Sequence, residues 1–141
     1  MKRQASAEWH GDLKTGKGTV STESGVLAGT PYSFTTRFES AKGTNPEELI
    51  AAAHAACFTM ALSAELGKSN VVAEELKTTA PVTLDRVDAG WTVTESHLKV
   101  SGKVPGASAE AFRTAAEAAE TGCPISRLLR TKISMEAMLQ S

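Results

Sequence analysis

One segment constrains the chain more than any other: "NPEELIAAAHAACFTMALSAEL", Asn45 to Leu66. Thr44 or Asn45 can cap a helix there, Pro46 suits its first position, and Glu47 and Glu48 favour its positive N-terminus. The pattern predicts a helix to about Leu66, with Gly67 as the stop. Ala51, Ala52, Ala53, Ala55, Ala56, Ala61 and Ala64 leave almost no bulky ridge along much of it. Two readings stand at this point. Alanine is the best helix former, which is reason enough for its use. Alternatively, two backbones must come close there, across a two-fold axis. A membrane span needs ~20 mainly apolar residues. Glu47, Glu48, His54 and Glu65 make a soluble core helix the better reading of a segment this long.

The flanking segments predict an α+β chain with mainly antiparallel pairing. "GTVSTESGVLAGTPYSFTTRF" reads as short strands and turns, with N-terminal strands over 5–38. Residues 75–141 hold the remaining strands and helices. Leu76–Leu84 and Trp91–Val104 read as strands joined through the turn "DRVDAG". Ser108 caps a second Ala-rich helix ending at Gly122, Pro124 opens a short helix, and "KISMEAML" alternates as a final strand. A chain of 141 residues fits a single domain over 1–141. Aromatics make up only 5% of it, so its small apolar side chains bury little area each and call for a partner subunit. A net charge of −1 excludes a broad nucleic-acid face. No apolar run follows the opening charges, so we expect no secretory leader, no membrane association and a cytoplasmic location.

The two cysteines, Cys57 and Cys123, admit several uses. Buried filler is the default. A structural disulfide does not suit a reducing compartment. A zinc site lacks the CxxC or HxxxH spacing, so no metal is expected. A cysteine hydrolase would use His54 and Cys57, but side chains stacked on one helix face make a poor nucleophile–base pair, and no orienting Asn or Asp is indicated. His54 reads better as a packing or solvent contact. Cys123, in "TGCPIS", falls at the start of the short helix, where free N–H groups favour a thiolate and a turn permits motion. Cys57 sits rigidly inside the long helix. A rigid attacking thiol and a mobile resolving thiol match a two-cysteine peroxidase. Such a thiol needs a cation, since only ~3% of an ordinary cysteine is ionised at neutral pH. Spacing alone cannot choose among fifteen basic residues. Arg37, in the strand-like "SFTTRFES", is a candidate, with an exposed strand charge as its plainer reading.

"NPEELIAAAHAACF", "GTVSTESGVL", "YSFTTRFE", "VDAG" and "GCPIS" together resemble the bacterial OsmC/Ohr family, on its OsmC branch, from about Trp9 to the C-terminus. The resemblance implies an OsmC-like fold, with antiparallel sheets wrapped around long central helices in an intertwined homodimer. It implies a thiol-dependent peroxidase reducing organic hydroperoxides, and hydrogen peroxide less well, in defence against oxidative and osmotic stress. By the same resemblance Cys57 is the peroxidatic cysteine and Cys123 the resolving one, joined in an intrachain disulfide. Arg37 activates the thiolate and Glu47 orients Arg37. No cofactor is implied. The partners are the peroxide, a second copy of the chain and a dithiol reductant such as a lipoyl group. Phe58, Met60 and Leu62 either help line an alkyl-peroxide pocket or are core. Glu47 precedes Cys57 by ten residues, ~15 Å along a continuous helix. Either the helix start bends back, or Glu47 serves the partner's site, which we favour. The rival readings are a non-catalytic dimeric binding protein for a small apolar ligand and a cysteine hydrolase.

Overall fold

Thr-, Ser- and Val-rich segments near the N-terminus pair as three short antiparallel strands, β1 (Ala5–His10), β2 (Lys17–Thr22) and β3 (Thr30–Tyr32), in that order across the sheet. The structure, a computed structural model, describes residues 1–141. Its residues group into two units, Met1–Leu49 and Ile50–Ser141.

In the first unit, Gly18 lies opposite both Trp9 and Tyr32. Their rings meet over it at 5.5 Å between centroids. A Cβ on Gly18 would come within 2.6 Å of both rings, so the contact requires glycine. Strands were expected as far as residue 38, but they stop at Tyr32. Phe34–Phe38 is a short helix, α1. The reason is local. The Ser33 hydroxyl accepts from the Thr36 N–H, and the Thr36 hydroxyl accepts from the Ser33 N–H, a reciprocal cap that outweighs the strand preference of Phe and Thr. Of the two candidate caps for the long helix, Asn45 is used. Its Oδ1 accepts from the Glu48 N–H at 2.8 Å, and its Nδ2 donates to the Thr36 carbonyl at 3.1 Å.

The long helix, α2, runs from Pro46 to Lys68. Gly67 does not end it. Asn70 does, in the left-handed conformation (φ 57°), with the Val71 N–H bonded back to Leu66 O and the Asn70 N–H to Gly67 O. Asparagine is one of the few residues that take this conformation readily.

The second unit builds a four-stranded sheet on the long strand β6 (Gly90–Lys103). The strand expected over 76–84 is two strands, β4 (Glu75–Thr79) and β5 (Val82–Val87), split at Ala80–Pro81, where proline offers no N–H to a ladder. Both run antiparallel to β6, and Asp88–Ala89 form the β5–β6 turn. Helices α3 (Ala109–Gly122) and α4 (Pro124–Leu128) then return the chain, so the last strand, β7 (Lys132–Gln140), lies parallel to β6. This crossover is the one exception to antiparallel pairing.

Phe58, Leu62 and Leu66 of α2 share a buried core with Leu98 and Val100 of β6 and Phe112, Ala116 and Ala119 of α3. Each large side chain in it contributes about 1.5–3 kcal/mol by leaving water. By length and composition α2 would pass as a membrane span, but its bulky side is core. Its other side carries Ala52, Ala53, Ala56, Met60 and Ala64, all exposed in the single chain.

Candidate active site

Both cysteines lie in the second unit. Cys57 is on α2, and Cys123 is the residue between α3 and α4. Their sulfurs are 2.8 Å apart, and both thiols are free. Cys123 has no exposed surface and is part of the core, whereas Cys57 is partly exposed. The thiol expected on a turn is a buried residue joining two helices. Cys123 is packed in the core against Cys57, between the end of α3 and the start of α4.

The start of α4 also works differently from its sequence reading. Cys123 caps α4 but makes no side-chain capping bond. Pro124 has no N–H, and the next amide, that of Ile125, bonds to Cys57. That amide lowers the Cys57 pKa, as a donor to a thiolate must. Burial acts more strongly and pushes the Cys57 thiol above its ordinary value, helped by the hydrogen bond shared with Cys123 and by the charge of a second thiolate. No cation of residues 50–141 is among the groups that act on it. The thiol pair is well placed for disulfide chemistry, while its burial disfavours the Cys57 thiolate.

His54 lies one turn before Cys57 and is fully buried. Its Nδ1 is 2.6 Å from Ser96 Oγ on β6, and its Nε2 is 2.8 Å from Ser126 Oγ on α4. It is therefore not a solvent contact. With both nitrogens engaged by serines it is not the base a cysteine hydrolase would need. Burial holds the imidazole below its usual pKa, so the ring stays neutral. Above pH ~6.5 both the folded and unfolded chains carry this ring neutral, and it adds no pH dependence. Below that, the unfolded chain takes up a proton that the buried ring resists, so stability falls with falling pH. The loss approaches ~1.4 kcal/mol per pH unit for as long as the buried ring stays neutral. Urea denaturation at pH 7.5 and 5.5 should show a smaller acid loss in His54→Asn than in the parent chain. Equal losses in both would mean the ring titrates normally.

The remaining candidates, Arg37 and Glu47, lie in the first unit and pair with each other. Arg37 Nη2 donates to Glu47 Oε1 at 2.8 Å, and Nε donates to both carboxylate oxygens at 3.3 Å. Glu47 is nearly buried, while the Arg37 side chain is 37% exposed. The guanidinium also lies 5.1 Å from the centroid of the Phe38 ring. Glu47 thus grips the Nε–Nη2 edge of the guanidinium fork. The residues expected to line a pocket divide differently: Phe58 and Leu62 are core, and Met60 is 76% exposed.

The Ile125 amide, Ser96 and Ser126 were missed from sequence. Ser126 had a faint signal, three residues after Cys123 on the short helix that Cys123 caps. Ser96 had none, since only the fold brings β6 to α2.

Residues 39–137 match the family model described as OsmC-like protein. Peroxiredoxin OsmC of Escherichia coli (strain K12) is 52% identical over 141 residues, covering 100% of this chain and 99% of that protein. The organic hydroperoxide resistance protein from Elizabethkingia anophelis has a similar structure, with a TM-score of 0.74 and 25% identity over 100% of this chain and 98% of that one. OhrB of Bacillus subtilis superposes with a TM-score of 0.72 at 24% identity, over 97% of this chain and 98% of that one, and supports the fold. With the family model matched over most of its length and half its residues identical to a full-length relative, the chain belongs to the OsmC-like protein family.

Proposed function

We propose that this protein is a two-cysteine peroxidase that reduces organic hydroperoxides to alcohols. The observation that carries the reading is the 2.8 Å contact between Cys57 and a buried Cys123. Its similarity to Peroxiredoxin OsmC and to organic hydroperoxide resistance proteins supports the same chemistry.

The Cys57 thiolate attacks one peroxide oxygen as the O–O bond breaks. The alkoxide leaves, takes a proton and departs as alcohol, and Cys57 becomes a sulfenic acid. The Cys123 sulfur then attacks the Cys57 sulfur. The S–O bond breaks, and one water leaves as the disulfide forms. The sulfurs need approach by only roughly 0.8 Å to reach a bond length of ~2.05 Å. A dithiol, of lipoyl type among others, reduces the disulfide and is itself oxidised to its cyclic disulfide. This cycle suits a reducing cytoplasm and a role in defence against oxidative and osmotic stress.

Arg37 supplies the missing cation, oriented by Glu47. The ten residues of helix between Glu47 and Cys57 support a role for the pair in the partner's site rather than in its own. In our reading the pair serves Cys57 of the partner subunit. The exposed alanine side of α2 is then a face between two copies of the chain, where small side chains let backbones approach closely. Sedimentation equilibrium at micromolar concentration should return a homodimer. A folded monomer would contradict both the dimer and the shared site.

The direct test is steady-state turnover with cumene hydroperoxide and with hydrogen peroxide, using dihydrolipoamide or a monothiol as reductant. We expect faster turnover with the organic peroxide and with the dithiol. A binding protein for a small apolar ligand would show no peroxide-dependent oxidation of either reductant.

A further inference from the structure

We propose that His54 is the positioning residue of the resolving step, bridging Ser96 and Ser126 so that Cys123 is held against Cys57. This rests on the reading of Cys123 as the resolving thiol and assigns a further residue to that step.

His54 precedes Cys57 by three residues on α2, and Ser126 follows Cys123 by three residues on α4. The same two helices are therefore joined at two places, about one turn apart. One is the thiol pair at 2.8 Å, and the other is the His54–Ser126 hydrogen bond, also at 2.8 Å. A single contact fixes a distance; two fix the relative rotation as well. The second nitrogen of His54 bonds to Ser96 at 2.6 Å, which anchors the bridge to the central strand of the sheet. All three residues are buried, and no buried side-chain nitrogen or oxygen lacks a partner.

Imidazole suits this task. In its neutral form it has one N–H and one lone pair on opposite sides of a rigid ring. One serine donates to it and the other accepts, so the bridge is satisfied without a buried charge. The bridge can survive the reaction, since rotation of the two cysteine side chains can take up the roughly 0.8 Å by which the sulfurs close. Both ring nitrogens of His54 are engaged by serines, so it is assigned no proton transfer in the cycle. It acts by lowering the number of arrangements that Cys123 must search.

The experiment separates the two chemical steps. Parent, Ser126→Ala, Ser126→Thr and Ser96→Ala chains are mixed rapidly with one equivalent of cumene hydroperoxide without reductant. Peroxide consumption reports Cys57 oxidation. Acid-quenched disulfide, with dimedone capture of sulfenic acid, reports resolution. Ser126→Ala should slow disulfide formation by about 10- to 100-fold more than it slows peroxide consumption, the scale of a displacement near 1 Å. Its dimedone adduct should rise although Cys123 is intact, and Ser126→Thr, which keeps the hydroxyl, should restore the parent ratio. Ser96→Ala should show the same sign with a smaller ratio. An equilibrium reading against dithiothreitol guards against a folding artefact: each tenfold loss of disulfide stability raises the potential by about 30 mV. Equal slowing of both steps, or unslowed resolution in Ser126→Ala, would overturn the assignment while the parent disulfide still forms. Parent chains that consume peroxide without forming a disulfide would overturn both the assignment and the reading beneath it.

Discussion

Replacing Cys57 with serine should reduce hydroperoxide turnover to the level seen without protein, whereas Cys123→Ser chains should complete one oxidation and stall. The asymmetry follows from placement. Cys57 is partly exposed, receives the Ile125 amide, and can meet a peroxide; Cys123 is fully buried behind it. A serine hydroxyl ionises far above neutral pH and cannot replace the attacking sulfur. In Cys123→Ser the first step keeps its nucleophile, but the sulfenic acid finds no second thiol. Without reductant, a dimedone-type probe should label close to one site per chain, at Cys57. Absence of label in Cys123→Ser, or persistent turnover in Cys57→Ser, would reverse the roles.

The second large effect belongs to Arg37 and Glu47. Burial raises the Cys57 pKa, and nothing in residues 50–141 offsets it with a positive charge. A guanidinium nearby lowers a neighbouring acid's pKa by ~1–3 units. Arg37→Ala should therefore slow Cys57 oxidation by about 10- to 1000-fold at pH 7. The sign with pH is definite. Rate follows the thiolate fraction, so the deficit should shrink as rising pH ionises Cys57 without help. A deficit that stays constant through pH 9.5 would assign Arg37 to peroxide binding instead. Glu47→Ala frees the guanidinium without removing it and should cost less.

Mixed dimers decide which subunit the pair serves. Glu47→Ala chains are combined with Cys57→Ser chains. If the pair acts across the dimer, one site loses both groups and the other keeps both, so activity returns to near half of the parent value per dimer. No recovery in verified mixed dimers would place Glu47 in the service of its own chain.

What was readable in the sequence tracks how local the cause is. The long helix, its start at Thr44 or Asn45, the Ser108 cap and a hairpin turn within "DRVDAG" rest on neighbours in sequence, and they are present, with the turn narrowed to Asp88–Ala89. The strand reading of "SFTTRFES" failed because a reciprocal Ser33–Thr36 cap outcompeted residue preference. Gly67 looked like a helix stop, but the chain waits three residues for Asn70. The cysteines could be assigned contrasting surroundings from their segments, though not the burial of Cys123 in the core. Arg37 rose above fourteen other basic residues only through family resemblance, and its bond to Glu47 depends on α1 being a helix. The His54 bridge was out of reach, because residues 42 and 72 positions away meet it only once β6 and α4 are folded against α2.

Both thiol steps are expected to take place within one chain. One equivalent of cumene hydroperoxide is added to fully reduced protein, followed by alkylation of free thiols and peptide mapping without reduction. We predict loss of two thiols per chain, one alcohol released, and a Cys57–Cys123 link within a single chain, with monomers on denaturing non-reducing electrophoresis. Retention of both thiols, or covalent dimers as the main product, would contradict the account.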